Sequence, residues 1–282
     1  MCGPLLVGDR VDVLSIQGGR PNQNMTTSFA PSSDGTRIAY DVTGTGPAVL
    51  LLHGGGQSRR VWHENGYVTR LREDFTVITV DIRGHGESDR PSGVEAYTVD
   101  RISDDIVAVA DAAHVARFAV WGYSFGGNIA RYLPARSDRV ARIVIIGVGF
   151  GAADPPPFKD YALSLRAKWT PVIQAARADT LSLASLSAQD RAMWQAGSIP
   201  FTVHLLGAIV GWPPVEPGDL RCPTLWLVGT ANENAMLSVN EYRDRLGGTR
   251  VVLQLVSGLT HADELTKVED VLPSMRKFTQ SP

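Results

Sequence analysis

Phe118-Ala119-Val120-Trp121-Gly122-Tyr123-Ser124-Phe125-Gly126-Gly127-Asn128 is the stretch on which the reading of this chain turns. The apolar run 118–121 reads as a buried strand, and a helix begins near Asn128, so the residues between form a sharp strand-to-helix turn centred on Ser124. Such a turn strains its central residue, and Gly122, Gly126 and Gly127 leave room for the flanking backbones to pass closely. Ser124 is thereby thrust out at the carboxyl edge of a sheet, where the N-terminus of the following helix favours developing negative charge. A bare G-x-S-x-G pattern also occurs in ordinary glycine-rich turns. The strand before it and the helix after it set this one apart.

Outward from that turn, further short apolar runs occupy 48–52, 75–80, 143–146, 225–228 and 251–256. Their unbroken Val, Ile and Leu content predicts strands covered on both faces. Between them Val99, Ile102, Ile106, Val109 and Ala113 recur at helical spacing, as do Leu265, Val268, Leu272, Met275 and Phe278. This alternation predicts an α/β fold, a mostly parallel central sheet with helices on both faces. The rhythm breaks over 150–217, a stretch with no convincing strand that holds Trp169, Trp194 and Trp212. A structureless loop of that length does not suit a compact fold. Segments 163–176 and 181–194 have helix-compatible composition, and the stretch is predicted to be a helical insertion. The expected division is a core of 25–149 and 218–282, the insertion 150–217, and a disordered or upstream leader 1–24 with Met25 as a plausible start.

With 44% hydrophobic and 20% charged side chains in 282 residues, the chain has material for one large core. Lysine and arginine number 27 against 29 acidic residues, a net charge of −2 that lacks the basic excess nucleic acid attracts. Cys2 and Cys222 alone build neither a disulfide framework nor a thiolate metal site, which fits a reducing cytoplasm. The apolar stretch 205–212 is under half of the roughly 20 residues a membrane helix needs. The leader's short apolar part, with no basic residue before it, disfavours a secretory signal. A soluble cytoplasmic protein without nucleic-acid or membrane partners is expected.

A second motif, Leu51-Leu52-His53-Gly54-Gly55-Gly56, closes the first long strand. Its glycines leave backbone N–H groups unobstructed, and the N–H of Gly55 pairs naturally with that of Phe125 as an oxyanion hole. Neither G-x-G-x-x-G nor Gly-Lys-Ser/Thr spacing is present, so a phosphate loop is disfavoured. With His53-Gly54, then Asp81-Ile82-Arg83-Gly84-His85-Gly86-Glu87-Ser88, then 122–127, then Gly258-Leu259-Thr260-His261, the sequence resembles the α/β-hydrolase superfamily, in particular its serine esterases and cap-bearing hydrolases. The resemblance runs from about Thr36 to Phe278. It implies that the turn with His85 is structural and that 150–217 is a cap over the site.

The resemblance also implies Ser124 as nucleophile and His261, just past the last strand, as general base. For the acid, family members place an aspartate three residues beyond a glycine like Gly229, where this chain has Asn232 followed by Glu233. An asparagine orients an imidazole without balancing imidazolium charge. The charge requirement puts Glu233 ahead of Asn232, with Asp154 a third candidate on the earlier loop. Gly54, Tyr123, Trp169, Trp194, His204 and Trp212 are the expected substrate contacts. His63 and His114 look like helix-surface residues, and the scatter of histidines argues against a metal. The expected activity, without cofactor, is hydrolysis of a small, largely apolar carboxylic ester through an acyl-enzyme. C–C bond hydrolysis and perhydrolysis use the same serine framework, and a degenerate ligand-binding member is the non-enzymatic alternative. An aspartate in place of Ser124 would instead suggest dehalogenases or epoxide hydrolases.

Overall fold

The computed structural model of the protein describes residues 26–153 and 156–281. The predicted leader, Cys2 and Asp154 lie outside the described residues. Eight strands form one sheet: β1 (Ser28–Pro31), β2 (Arg37–Thr43), β3 (Ala48–Leu52), β4 (Thr76–Val80), β5 (Phe118–Tyr123), β6 (Val140–Ile146), β7 (Thr224–Gly229) and β8 (Val251–Val256). Their order across the sheet is β1-β2-β4-β3-β5-β6-β7-β8. The strands from β4 through β3 to β8 pair in parallel, while β1 and β2 form an antiparallel hairpin on one edge. The hairpin turns at Gly35 (φ 83°), a left-handed conformation that glycine adopts without strain.

The helices are α1 (Arg60–Glu64), α2 (Tyr67–Leu71), α3 (Val99–Ala112), α4 (Phe125–Ala130), α5 (Leu133–Arg136), α6 (Pro156–Arg177), α7 (Ala188–Gln195), α8 (Ile199–Ile209), α9 (Glu233–Tyr242), α10 (Asp263–Thr266) and α11 (Val268–Gln280). The period-two alternation of strand side chains divides them between the faces of the sheet. Leu50, Leu52, Val120, Ile143 and Ile145 bury with Ile102 and Ile106 of α3, Ile129 of α4 and Val239 of α9. Val49, Leu51, Trp121, Val144 and Ile146 bury with Trp62 beside α2's Leu71, and with Val271 and Met275 of α11. All five residues of β3 and all six of β5 are buried, which is why these runs carry no polar positions.

Between β6 and β7 the chain makes α6, α7 and α8, so the predicted helical insertion is present. Its middle helix is shorter than expected, beginning only after Ser187, whose side chain accepts from the Asp190 N–H as an N-cap. The insertion has its own small core of Trp169, Ile173, Ile199 and Val203. It meets the sheet domain through Phe201 of α8, whose ring packs edge-on to His85 at 4.9 Å. Glycine at 84 permits this approach, because a Cβ there would stand 2.0 Å from the Phe201 ring.

The turn after β4 is fastened by Arg83. Its guanidinium grips both oxygens of Asp105 on α3 at 2.6 and 2.5 Å, donates to the Ala96 carbonyl at 2.6 Å, and reaches Asp34 in the hairpin turn at 3.0 Å. Arg83 and Asp105 are both essentially inaccessible. Arg83→Ala strands a buried carboxylate, and the expected loss of stability is about 3–5 kcal/mol, read by urea denaturation. A loss within about 0.5 kcal/mol would show the pair to be dispensable.

Candidate active site

Ser124 sits at φ 52° and ψ −115°, the strained backbone expected of the central residue in so sharp a turn. Hydrogen bonds from both sides hold it there: its own N–H donates to Ile146 at the end of β6 (2.9 Å), and the Gly126 N–H donates to His53 at the end of β3 (3.0 Å). The fit is tight enough to exclude side chains. A Cβ at Gly122 would lie 2.2 Å from the Gly126 carbonyl oxygen, and one at Gly126 would lie 2.2 Å from that of Leu52.

From this turn the hydroxyl reaches an imidazole. The Ser124 Oγ lies 3.0 Å from Nε2 of His261, and Nδ1 of the same ring lies 3.0 Å from Oε2 of Glu264. Glu264 follows His261 by three residues in the turn that opens α10, a spacing that brings both side chains to one face. The Glu264 side chain is wholly buried, and its carboxylate is met by the Gly229 N–H at 2.6 Å and by Nδ2 of Asn232 at 3.1 and 2.9 Å. Tyr123, the neighbour of Ser124, stacks on His261 with ring centroids 5.0 Å apart and donates from its hydroxyl to the His261 carbonyl at 2.9 Å. Burial, together with the Glu264 charge, raises its phenol above the ordinary value, so it remains a donor.

Glu233 does not take the position expected of it. It is the first residue of α9 and exposed, whereas the carboxylate facing Nδ1 comes from Glu264. Asn232 does approach the ring, but through its amide nitrogen, 3.1 Å from Nδ1. Its Oδ1 is occupied as the N-cap of α9, accepting from the Ala235 N–H at 3.2 Å, so it does not accept from the imidazole. The spacing His261-Ala262-Asp263-Glu264 was a usable sequence signal, an acidic residue one helical turn after the histidine.

The glycine loop after β3 is pinned from several directions. Gly54 donates to Oε1 of Gln57 at 2.9 Å and its carbonyl receives His53 Nδ1 at 2.8 Å, so its polar backbone serves the loop and not a substrate. The Arg59 N–H donates to Asp81 Oδ1 at 2.6 Å, and its guanidinium pairs with Asp81, Asp41 and Glu87. His63 is not a free surface residue, because Nε2 faces Asp41 at 3.1 Å. Gly55 is exposed, with a Cβ direction facing Phe125 at 3.8 Å, and Phe125 is the first residue of α4, where backbone N–H groups have no partner within the helix.

The aromatic residues divide. Trp169 is buried inside the insertion's own core and stacks on Trp194 at 6.3 Å, so these two pack helix on helix and do not face Ser124. Three helices with one apolar face each must bury it somewhere, and these indoles fill that space. Trp212 stacks on Phe125 at 5.9 Å and donates to the Tyr97 carbonyl at 3.3 Å. His204 is buried and accepts from the Gly93 N–H at 3.3 Å, fastening α8 to the loop before α3, and burial lowers its pKa.

His53 is wholly enclosed, and burial lowers its pKa to about 4; Nε2 accepts from the Ile82 N–H at 3.1 Å, which leaves the proton on Nδ1. A folded pKa near 4 lies below the free value of 6.5, so as pH falls the unfolded chain takes the proton first. Stability is therefore full above pH 6.5 and declines as pH drops toward 4. Replacing the ring by the neutral amide in His53→Gln should flatten this part of the stability profile between pH 7 and 5, measured by denaturant titration. An unchanged slope would mean that His53 is not what titrates.

Similarity to known proteins agrees with the fold. The alpha/beta hydrolase fold family matches residues 47–183. An uncharacterized protein of Mycobacterium tuberculosis is 33% identical over 116 residues, covering 41% of this chain and 33% of that protein. Epoxide hydrolase 3 of Siraitia grosvenorii is 31% identical over 126 residues, 44% of this chain and 39% of that protein. The chain thus spans between a third and two fifths of the length of these curated relatives. A thermophilic esterase from Thermogutta terrifontis superposes with a TM-score of 0.66 at 22% identity, covering 90% of this chain and 97% of that one. Sheet order, the strained serine turn and the family match over residues 47–183 agree on the alpha/beta hydrolase fold.

Proposed function

We propose that the protein is a serine hydrolase acting on small, largely apolar carboxylic esters, and the observation that carries this reading is the continuous relay from Ser124 through His261 to the buried carboxylate of Glu264. His261 Nε2 takes the hydroxyl proton as the Ser124 oxygen attacks the substrate carbonyl. The oxyanion forms against the N–H groups of Phe125 and Gly55. Glu264 stabilises the imidazolium and fixes the ring so that Nε2 faces the serine. His261 then returns the proton to the departing alcohol, leaving an acyl group on Ser124. Water, deprotonated by the same imidazole, releases the acid.

A serine nucleophile supports acyl transfer over the epoxide opening named for some relatives. The side chains grouped around the Phe125 ring, Trp212 together with His85 and Phe201, favour an apolar substrate. Burial lowers the pKa of His85 to about 3, so at neutral pH it adds no charge to that surface. With α8 docked on the turn at Gly84, the helical insertion serves as a cap over the site.

A fluorophosphonate probe is expected to label the wild type once and Ser124→Ala not at all. Label retained by Ser124→Ala would refute the assignment. In a chromogenic ester assay, Glu264→Gln should lower kcat by at least two of the roughly four decades that losing the triad charge costs, with KM little changed. Glu233→Gln, at an exposed position, should leave kcat within about twofold. The reverse pattern would return the acid to the loop after β7. A panel of esters, lactones and vinylogous diketones then separates ester from C–C bond hydrolysis.

A further inference from the structure

The contacts of Asn232 are more numerous than a helix cap requires. Its Oδ1 faces the Ala235 N–H, while Nδ2 faces the Gly147 carbonyl at 3.1 Å, both oxygens of Glu264 at 3.1 and 2.9 Å, and His261 Nδ1 at 3.1 Å. That set fixes which end of the amide is nitrogen, since rotating the group would put an oxygen against a carbonyl and a carboxylate. Glu264 in turn accepts from three directions, with Gly229 N–H on Oε1, His261 Nδ1 on Oε2 and the amide spanning both. The groups facing this carboxylate are His261 on the preceding turn, Asn232 and Gly229 after β7, Gly147 after β6, and Tyr123 at the end of β5. His261 is the one member of this set that becomes a cation. Asp263, also near the turn, is engaged with Thr260 at 2.8 Å and with Lys267 at 3.5 Å.

We propose that Asn232 and Glu264 form an acid–amide pair in which one position carries the charge and the other supplies the donor, with Asn232 as the positioning residue that holds the carboxylate against His261 Nδ1. The proposal rests on the triad reading given above. Its physical basis is that the two side chains share one enclosed site beside one imidazole. A carboxylate at each would place like charges about 3 Å apart, where the second ionisation is strongly disfavoured. An amide at each would leave the imidazolium without a counter-charge. A carboxylate at either, with an amide at the other, satisfies both requirements.

The test is a charge exchange. Wild type, Glu264→Gln, Asn232→Asp and the double variant Asn232→Asp/Glu264→Gln are compared for kcat/KM against pH with a chromogenic acetate ester. Glu264→Gln should lose at least about 10²-fold in kcat. The double variant, which moves the carboxylate across the pair, should recover at least about tenfold of that loss and return the wild-type pH profile. Asn232→Asp alone should shift the acidic limb upward by about one pH unit or more, because a proton held on the imidazole relieves the repulsion between two carboxylates facing it. NMR titration of the His261 ring in the same four proteins reads the charge at Nδ1 independently of turnover. Absence of fluorophosphonate labelling in wild type would remove the hydrolase reading, and the ring titration would still decide the pair. The pair is overturned if the folded double variant titrates and turns over like Glu264→Gln, or if the ring titration of Asn232→Asp superimposes on that of wild type. A merely structural Asn232 would lower the melting temperature of its variants without moving either profile.

Discussion

The close passage of the β5–α4 turn against the end of β3 is the constraint from which the site follows. Ser124 is held in a backbone conformation that costs on the order of 1–3 kcal/mol. It persists because the strands on both sides accept or supply its neighbours' hydrogen bonds, through the Ile146 and His53 carbonyls. Only glycine fits at 122 and 126, since the nearest backbone oxygens would stand 2.2 Å from any Cβ. Two parallel neighbours of β5 are therefore needed to place one hydroxyl. The large, doubly covered sheet is the means by which the strain is sustained.

The second constraint is electrostatic. A carboxylate with no solvent access must be surrounded by donors, or burial favours its neutral form. Around Glu264 those donors converge from the loop after β7 and from the histidine itself, and the Asn232 amide additionally ties Gly147 after β6 into the group. The carboxyl ends of three adjacent strands are joined through one side chain. This explains the full burial of a residue type that usually seeks water.

Much of this was legible in the sequence, and the parts that were not have identifiable causes. The strand at 48–52 was visible because a strand covered on both faces must be apolar throughout. The serine turn announced itself through its glycines. The carboxylate that faces His261 Nδ1 was not read correctly, because its location depends on how far two separate loops lean toward one imidazole. Chain order and the nearby glycine drew attention to Glu233, while the residue that arrives at Nδ1 stands one helical turn beyond His261. Trp169 and Trp194 were misread for a different reason. An indole has the same composition whether it lines a cavity or packs two helices, and only the packing around Trp169 and Ile173 separates the cases.

Tyr123 has a further consequence. It is covalently joined to Ser124, yet it grips His261 twice, through ring stacking and through its hydroxyl on the His261 carbonyl. A shared anchor gives the pair common-mode behaviour: a displacement of the loop after β8 pulls on the strand end that carries the hydroxyl, and the two move together. The Ser124 oxygen and the His261 nitrogen are thus referenced to one residue, in the way that a differential instrument refers both of its inputs to a common ground.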